Sequence, residues 1–430
     1  MDASMLVVAL LFFVTLILGV PIAFILGFVP IVFLYCFSSV PLGIIGQTLY
    51  NGLDSYVLLA LPFFILAGNL MNHSGITADL VKFAQLLVGG FRGGLAQVNI
   101  VVSVFFAGLT GAAVADTAVV GSLLIPAMKE EGYSAEYAAA VTTASSIIGP
   151  IIPPSNIMVI YGAITGSSIG TLFMAGFIPG LLVALCLMIM AYYYAVKENH
   201  PRRMERIPLT ECVRIIRNSL AALVVPLIII GGILGGFFTA TEAGAVACLY
   251  ALLMGVCFYK TLTPRIILEC LENAAIVSAT ILLIISTSKV LSLVLAIQHV
   301  PGNIAQFMLS IIDNKYVFLI VINVFLLFVG MVMEIGASVI LLAPILLPVA
   351  VQYGIHPLHF AIIMLVNLNI GLTTPPLGVC LFVVSPIAKV PFERIVPKVL
   401  PFVCMQIVAL LLLTFIPELV FFVPRLMGML

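Results

Sequence analysis

The sequence predicts an all-α polytopic membrane protein made of two inverted-topology repeats, each with a re-entrant helical hairpin and a broken helix. Three observations predict it: an oily composition, an internal offset that superposes glycines and prolines, and a double proline that recurs in each half. Hydrophobic residues fill 63% of the 430 positions, charged residues 8%, and the mean hydropathy is +1.32. So little polar surface cannot enclose a water-soluble core. Uncharged runs extend from Ala3 to Leu53, from Tyr137 to Val196 and from Ile335 to Ala388. Each exceeds the roughly 20 residues that one helix needs to cross a bilayer, so each run holds several helices. Strand-period alternation is missing, which favours helices over a membrane barrel.

The repeat comes from sliding the chain by 222 residues, which pairs Gly108 with Gly330, Pro126 with Pro348, Gly132 with Gly354, Gly149 with Gly371, Pro153 with Pro375 and Pro154 with Pro376. Six matched glycines and prolines at one offset are hard to obtain by chance, and such duplications in membrane carriers commonly relate halves of opposite topology. Lys and Arg test that arrangement, because cytoplasmic loops retain them. With 1–200 as the first repeat, 201–217 as a cytoplasmic linker and 218–430 as the second repeat, every basic residue faces the cytoplasm except Lys315, Arg425 and Lys289. Lys289 falls within a span, where it either snorkels or pairs with a carboxylate.

Taken in order, the first repeat opens with short or tilted helices, although residues 5–36 also read as one long helix, and the N-terminus is expected outside. The start "MDASMLVVAL" lacks a basic n-region, so the first apolar segment is expected to be retained. A hairpin follows at about 93–130, whose small polar centre "AGLTGAAVADT" splits the run into arms expected to be too short to span. A broken helix at about 137–165 carries "SSIIGPIIPPSN", and a last crossing leads to the basic linker "KENHPRRMERIPLTECVRIIR". The second repeat places its hairpin at about 316–350, turning at "GMVMEIGAS", and its broken helix at about 359–388 with "NLNIGLTTPPLG".

The prolines explain why the helices break. A proline inside a helix removes an N–H and blocks the carbonyl four residues back, at about 3 kcal/mol or more. Two in succession after a glycine unwind a turn. Free backbone at membrane depth is tolerated only inside protein or beside a wet cavity, so both hairpin tips and both breaks should face a site. The freed carbonyls suit a cation, and the next half-helix offers N–H donors to an anion. Ser145, Ser146, Ser155 and Asn156 flank the first break; Asn367, Asn369, Thr373 and Thr374 flank the second. These neutral oxygens suit a hard ion such as Na⁺. A kink that merely shapes packing is the plainer reading, and the duplication argues against it. Asp116 and Glu334 stand at or just beyond the hairpin turns, either as ion ligand, proton carrier or gate, or as groups satisfying backbone N–H at the start of an arm. Glu242 follows Thr239 by three residues, the spacing of a capping box.

Other chemistries find little support. Net charge is zero, which argues against nucleic acid. The eight cysteines are scattered without a C-x-x-C pair and read as packing residues. His356 and His359 have Pro357 between them and fall in a predicted loop, so no transition-metal site and no cofactor is expected. A hydrolase would need a nucleophile with a base, and the serines here share no segment with a histidine.

The segments "GLTGAAVADTAVVGSLLIPAM", "ASSIIGPIIPPSNIMVIYG", "TATEAGAVACLYAL" and "ILLAPILLPVAVQYGIHPLHFAIIMLVNLNIGLTTPPLGVCLFV" resemble the large membrane (permease) subunit of tripartite ATP-independent periplasmic (TRAP) transporters over nearly the whole chain. The resemblance implies an ion-transporter fold of the elevator type and no enzyme activity. It implies Na⁺-coupled import of an organic acid, such as a sialic acid or dicarboxylate, across the bacterial inner membrane. Its implied partners are a periplasmic substrate-binding protein and a small four-helix membrane subunit, within the lipid bilayer and without nucleic acid. Matching positions assign substrate binding to Thr110, Asp116, Ser155, Asn156, Glu334, Ser338, Asn367 and Thr374, and Na⁺ to Gly108, Ser145, Ser146, Gly149, Pro153, Gly330, Asn369, Gly371, Thr373 and Pro375. Glu334 departs from the family, in which Asp is usual. The runner-up is a stand-alone divalent-anion/Na⁺ symporter of similar architecture.

Overall fold

The computed structural model describes residues 3–202, 208–375 and 378–430. Pro376 lies outside the described residues, as do linker residues 203–207 and the side chains of Gly108 and Thr110. Among the described residues the chain is helical, and its only strand-like pairing is an isolated antiparallel bridge between Arg92 and Arg202. The first half runs α1 Ala3–Ile17, α2 Ile22–Phe37, α3 Gly43–Leu53, α4 Ala60–His73, α5 Ile76–Val88, α6 Gly94–Thr110, α7 Ala113–Glu130, α8 Ala135–Ser146, α9 Asn156–Thr165 and α10 Ile169–Lys197. The second runs α11 Leu209–Leu234, α12 Ala240–Leu253, α13 Pro264–Ile297, α14 Val300–Ile311, α15 Lys315–Val332, α16 Ile335–Gln352, α17 Pro357–Gly371, α18 Val379–Ala388, α19 Phe392–Phe415 and α20 Glu418–Leu426. Seven helical segments are long and apolar enough to cross a membrane, or eight if the bent pair within α11 is one span.

The 222-residue offset reappears in the helix boundaries. It carries α15 onto α6 and α16 onto α7 to within a residue, and α17, α18 and α19 onto α8, α9 and α10 at their starts. Packing repeats as well: α4 lies on α12 while α2 lies on α13, α7 lies on α18 while α16 lies on α9, and α8 lies on α19 while α17 lies on α10. The equivalent helices α10 and α19 run antiparallel. Glu198 bonds Lys398 at 2.5 Å, and the Tyr194 ring stacks on Phe402, so the contact advances along one helix as it recedes along the other.

Capping chemistry sets many of the boundaries. Ser134, Ser155 and Ser168 accept backbone N–H groups at the starts of α8, α9 and α10, and Thr239 with Glu242 completes a reciprocal capping box on α12. Gly132 and Gly354, paired by the offset, each take a left-handed conformation (φ 92° and 72°) just after the second hairpin arm, a geometry that costs glycine nothing.

Three expectations change. Residues 5–36 do not form one helix, because left-handed Gly19 and Pro21 separate α1 from α2. The hairpin arms, expected to be too short to span, reach 17 to 18 residues, or about 27 Å. The small residues beside each turn stay helical, so the turns shrink to Gly111–Ala112 and Met333–Glu334; of the four arms, α15 and α16 satisfy the length and hydropathy of a span among the described residues. His359 is not in a loop: it lies one turn into α17, buried, with Nε2 2.8 Å from the Leu413 carbonyl, while His356 caps that helix by accepting the Leu358 N–H.

Candidate functional site

Both breaks lie where the double prolines placed them. After Ser146, the chain of α8 continues as tight turns, with Ile148 and Gly149 N–H bonded to Ser145 and Ser146 carbonyls, until Pro153 and Pro154 interrupt it. Ser155 then folds back, its Oγ 2.6 Å from the Pro150 carbonyl, and caps α9 at Met158. In the second half Thr373 and Thr374 N–H bond Ile370 and Gly371 carbonyls, and α18 restarts after left-handed Gly378 (φ 51°).

Each hairpin tip rests on the break of its own half. A Cβ on Gly111 (φ 59°) would lie 2.9 Å from the Pro154 carbonyl oxygen, and one on Gly371 would lie 2.3 Å from the Gly330 backbone. Only glycine allows backbone to approach this closely. The tip-to-break seats are what distinguish these arms from ordinary crossings, since length does not.

Behind the seats, buried amides tie hairpin arms to broken helices. Ser145 bonds Asn99 and Ser103 of α6 at 3.0 Å each, and its offset partner Asn367 bonds Asn323 of α15 at 2.9 Å. Gln406 on α19 links the halves by donating to the Ala144 carbonyl and accepting from Thr373. Two buried amide oxygens beside the second break, Asn367 Oδ1 and Asn369 Oδ1, accept no hydrogen bond among the described residues. An uncompensated buried carbonyl is costly, and a hard cation is the partner such oxygens suit. Asp116 is wholly buried, its carboxylate packed against Gly149, where an added Cβ would lie 2.4 Å from Oδ2. Glu334 is exposed and N-caps α16, accepting the Ala337 N–H at 2.9 Å.

A cavity of about 480 Å³ opens where the elements converge. Gly111–Val114 of the first hairpin, Glu334–Ala337 of the second, Pro150 and Asn156 at the first break, and Leu372 and Val379 at the second line one side. Ile276, Val277, Thr280, Ile281 and Ile284 of α13 form the opposite wall, with Ile22 and Ile65. Of the residues the sequence assigned to substrate, Asn156 and Glu334 line this cavity. Asp116, Ser155, Ser338, Asn367 and Thr374 are buried and do not line it. Of those assigned to Na⁺, Ser145, Ser146, Gly149, Pro153, Asn369, Gly371 and Thr373 are buried around the breaks, Gly330 is seated against Gly371, and Pro375 is half-buried. Sequence alone does not single out the α13 wall, because its residues are ordinary aliphatics apart from Thr280; their i, i+4 spacing is the available signal. Lys289 is half-buried, its aliphatic stem packed on Gly52. Among the described residues no group of His, Cys, Asp and Glu is placed to hold a metal.

Residues 9–419 match the family described as the tripartite ATP-independent periplasmic transporter, DctM component. The chain is 40% identical over 411 residues to the sialic acid TRAP transporter large permease protein SiaM of Vibrio cholerae, covering 95% of each. It is 35% identical over 425 residues to the C4-dicarboxylate TRAP transporter large permease protein DctM of Rhodobacter capsulatus, covering 96% of each. With the isethionate TRAP transporter permease protein DctMQ of Oleidesulfovibrio alaskensis it shares 39% identity over 407 residues, 95% of this chain and 64% of that one. The crystal structure of the Alcanivorax borkumensis YdaH transporter has a similar fold, with a TM-score of 0.66 at 13% identity over 87% of this chain and 88% of that one.

Proposed function

Because the chain belongs to the DctM-component family of TRAP transporters, as a multi-pass large permease and not an enzyme, we propose that it imports an organic acid across the bacterial inner membrane, driven by Na⁺. The observation that carries this reading is the convergence of both hairpin tips and both breaks on one cavity. A carboxylate entering there meets the N-terminus of α9 at Asn156, whose dipole favours an anion, while the α16 N-terminus is already served by the Glu334 carboxylate. Na⁺ fits the second break, where Asn367 and Asn369 hold amide oxygens without donors. A cation bound there lowers the cost of desolvating the acid, which couples the two.

Antiparallel α10 and α19, and the exchange of packing partners between the halves, support an inverted repeat. In the elevator mechanism we propose, the two hairpins (α6–α7 and α15–α16) and the two broken helices (α8–α9 and α17–α18) move as one body against a scaffold that includes α2, α4, α12 and α13. In this reading a small membrane subunit partners the chain and a periplasmic binding protein delivers the acid. High identity over whole lengths to TRAP permeases favours this reading over a stand-alone symporter. The acid belongs to the range named for the relatives, sialic acid, C4-dicarboxylate and isethionate. Uptake into proteoliposomes holding the permease, its small subunit and the loaded binding protein should require an inward Na⁺ gradient. Equal uptake with K⁺ in its place would exclude Na⁺ coupling.

A further inference from the structure

The basic end of α10 carries a second built site, away from the central cavity. Arg92 and Arg202 form the isolated antiparallel bridge, reinforced by Gly93 N–H to Pro201 O at 3.0 Å, so backbone pairing fixes both positions side by side. Their guanidinium groups bond neutral partners: Arg92 the Asn199 side-chain oxygen, and Arg202 the Gly90 carbonyl at 3.2 Å. Among the described residues neither arginine pairs with a carboxylate; the nearby Glu198 is occupied by Lys398 and His200. Two cationic groups therefore border a pocket of about 610 Å³ without a paired carboxylate among the described residues.

What lies next to it indicates the ligand. Phe91 and Tyr192 border this pocket and also an adjoining apolar groove of about 250 Å³, floored by Met188 and Ile189 with Gln97. Phe91, Tyr192 and Ile189 are all exposed. Helix α10 has 29 residues, or about 43 Å, longer than the roughly 30 Å hydrocarbon core. Its C-terminal end thus reaches the headgroup level, where Tyr192 sits as interfacial aromatics do. Ile189 lies two turns, about 12 Å, nearer the membrane centre than Lys197. A cationic mouth that opens along a helix into a lipid-facing apolar groove has the outline of one amphiphile.

We propose that this site binds an anionic glycerophospholipid, with the phosphate between Arg92 and Arg202 and an acyl chain along Phe91, Met188 and Ile189. The test is native mass spectrometry of the intact transporter complex titrated with phosphatidylglycerol or phosphatidylethanolamine of matched chains, with the double variant Arg92→Gln/Arg202→Gln and the charge-retaining Arg92→Lys/Arg202→Lys. Each basic group at a membrane surface contributes about fivefold to anionic lipid binding, so the Gln variant should bind phosphatidylglycerol about 25-fold more weakly. The Lys variant should retain most of the binding, and phosphatidylethanolamine should bind alike to all three. Inorganic phosphate in excess should fail to displace long-chain phosphatidylglycerol. Equal phosphatidylglycerol binding by parent and Gln variant overturns the proposal. So does full displacement by inorganic phosphate, which would mark a free-anion site, or loss of the lipid only when the small subunit is present, which would mark a protein interface. A melting temperature close to the parent's shows that the variants remain folded.

Discussion

Replacing Gly371 by alanine isolates the seat between the second hairpin and its broken helix. Helix propensity alone favours the change by about 1 kcal/mol, because Gly371 ends α17 in ordinary helical geometry. The structure predicts the reverse. The new Cβ would lie 2.3 Å from the Gly330 carbonyl carbon and 2.5 Å from its Cα, where ordinary contact begins at 3.4 Å. Both atoms are backbone, so relief needs α15 to retreat by about 1 Å, and overpacking of this kind costs about 1–3 kcal/mol. If about 1.4 kcal/mol of that strain falls on the seated tip, transport falls about tenfold. Gly354→Ala is the control: it forces a side chain into φ 72° with nothing within 4 Å, so it should lower stability by about 1 kcal/mol and leave the tip seated. Uptake in proteoliposomes and thermal unfolding in detergent separate the two. A Gly371→Ala protein that melts and transports like the parent would refute the close backbone seat.

The remaining expectations concern single polar groups. Glu334→Ala should cost about 1 kcal/mol through the lost cap on α16 and Glu334→Asp should restore it; identical melting of all three would remove the capping role. Asn367→Ala should cost about 1–3 kcal/mol by removing the donor to the Asn323 backbone and side-chain oxygens, and should also raise the Na⁺ concentration needed for half-maximal uptake. An unchanged Na⁺ requirement would separate that residue from the ion. Burial beside Tyr133 and Tyr137 pushes the His200 imidazole below its usual value, against the pull of Glu198, while Lys398 and Arg92 add to the depression. The unfolded chain then takes up the proton first, so stability falls as pH drops through about 6.5. His200→Gln should flatten the acid side of the melting profile; an unaltered slope would acquit this residue.

The fold was legible largely because glycine and proline have few structural options. The 222-residue offset aligns the starts of α6 to α10 with those of α15 to α19 to within a residue. The consecutive prolines that begin at Pro153 and Pro375 mark the breaks, whereas the single prolines Pro126 and Pro348 sit inside α7 and α16, and Gly132 and Gly354 mark left-handed stops. Arm length was misjudged because the turn was read from every small residue in "AGLTGAAVADT", and small residues need not leave a helix. The site was legible as segments and less so as side chains. Ser155 and Asn156 are neighbours with opposite placements, one folded back on Pro150 and the other in the cavity wall, and only the direction of the chain after Pro154 decides which. The α13 wall carried no chemical mark beyond Thr280.

The two acidic residues near the hairpin turns escape the duplication. The offset pairs Glu334 with Ala112 and Asp116 with Ser338, so the carboxylates stand one helical turn apart in the common frame, one bathed in the cavity and one sealed in packing. Exchanging the halves therefore no longer maps the charge distribution onto itself. A carrier with perfectly twinned halves would have degenerate resting states facing either side. In the inverted-repeat carrier proposed above, the four-residue displacement of negative charge is one of the differences between the halves that remove this degeneracy.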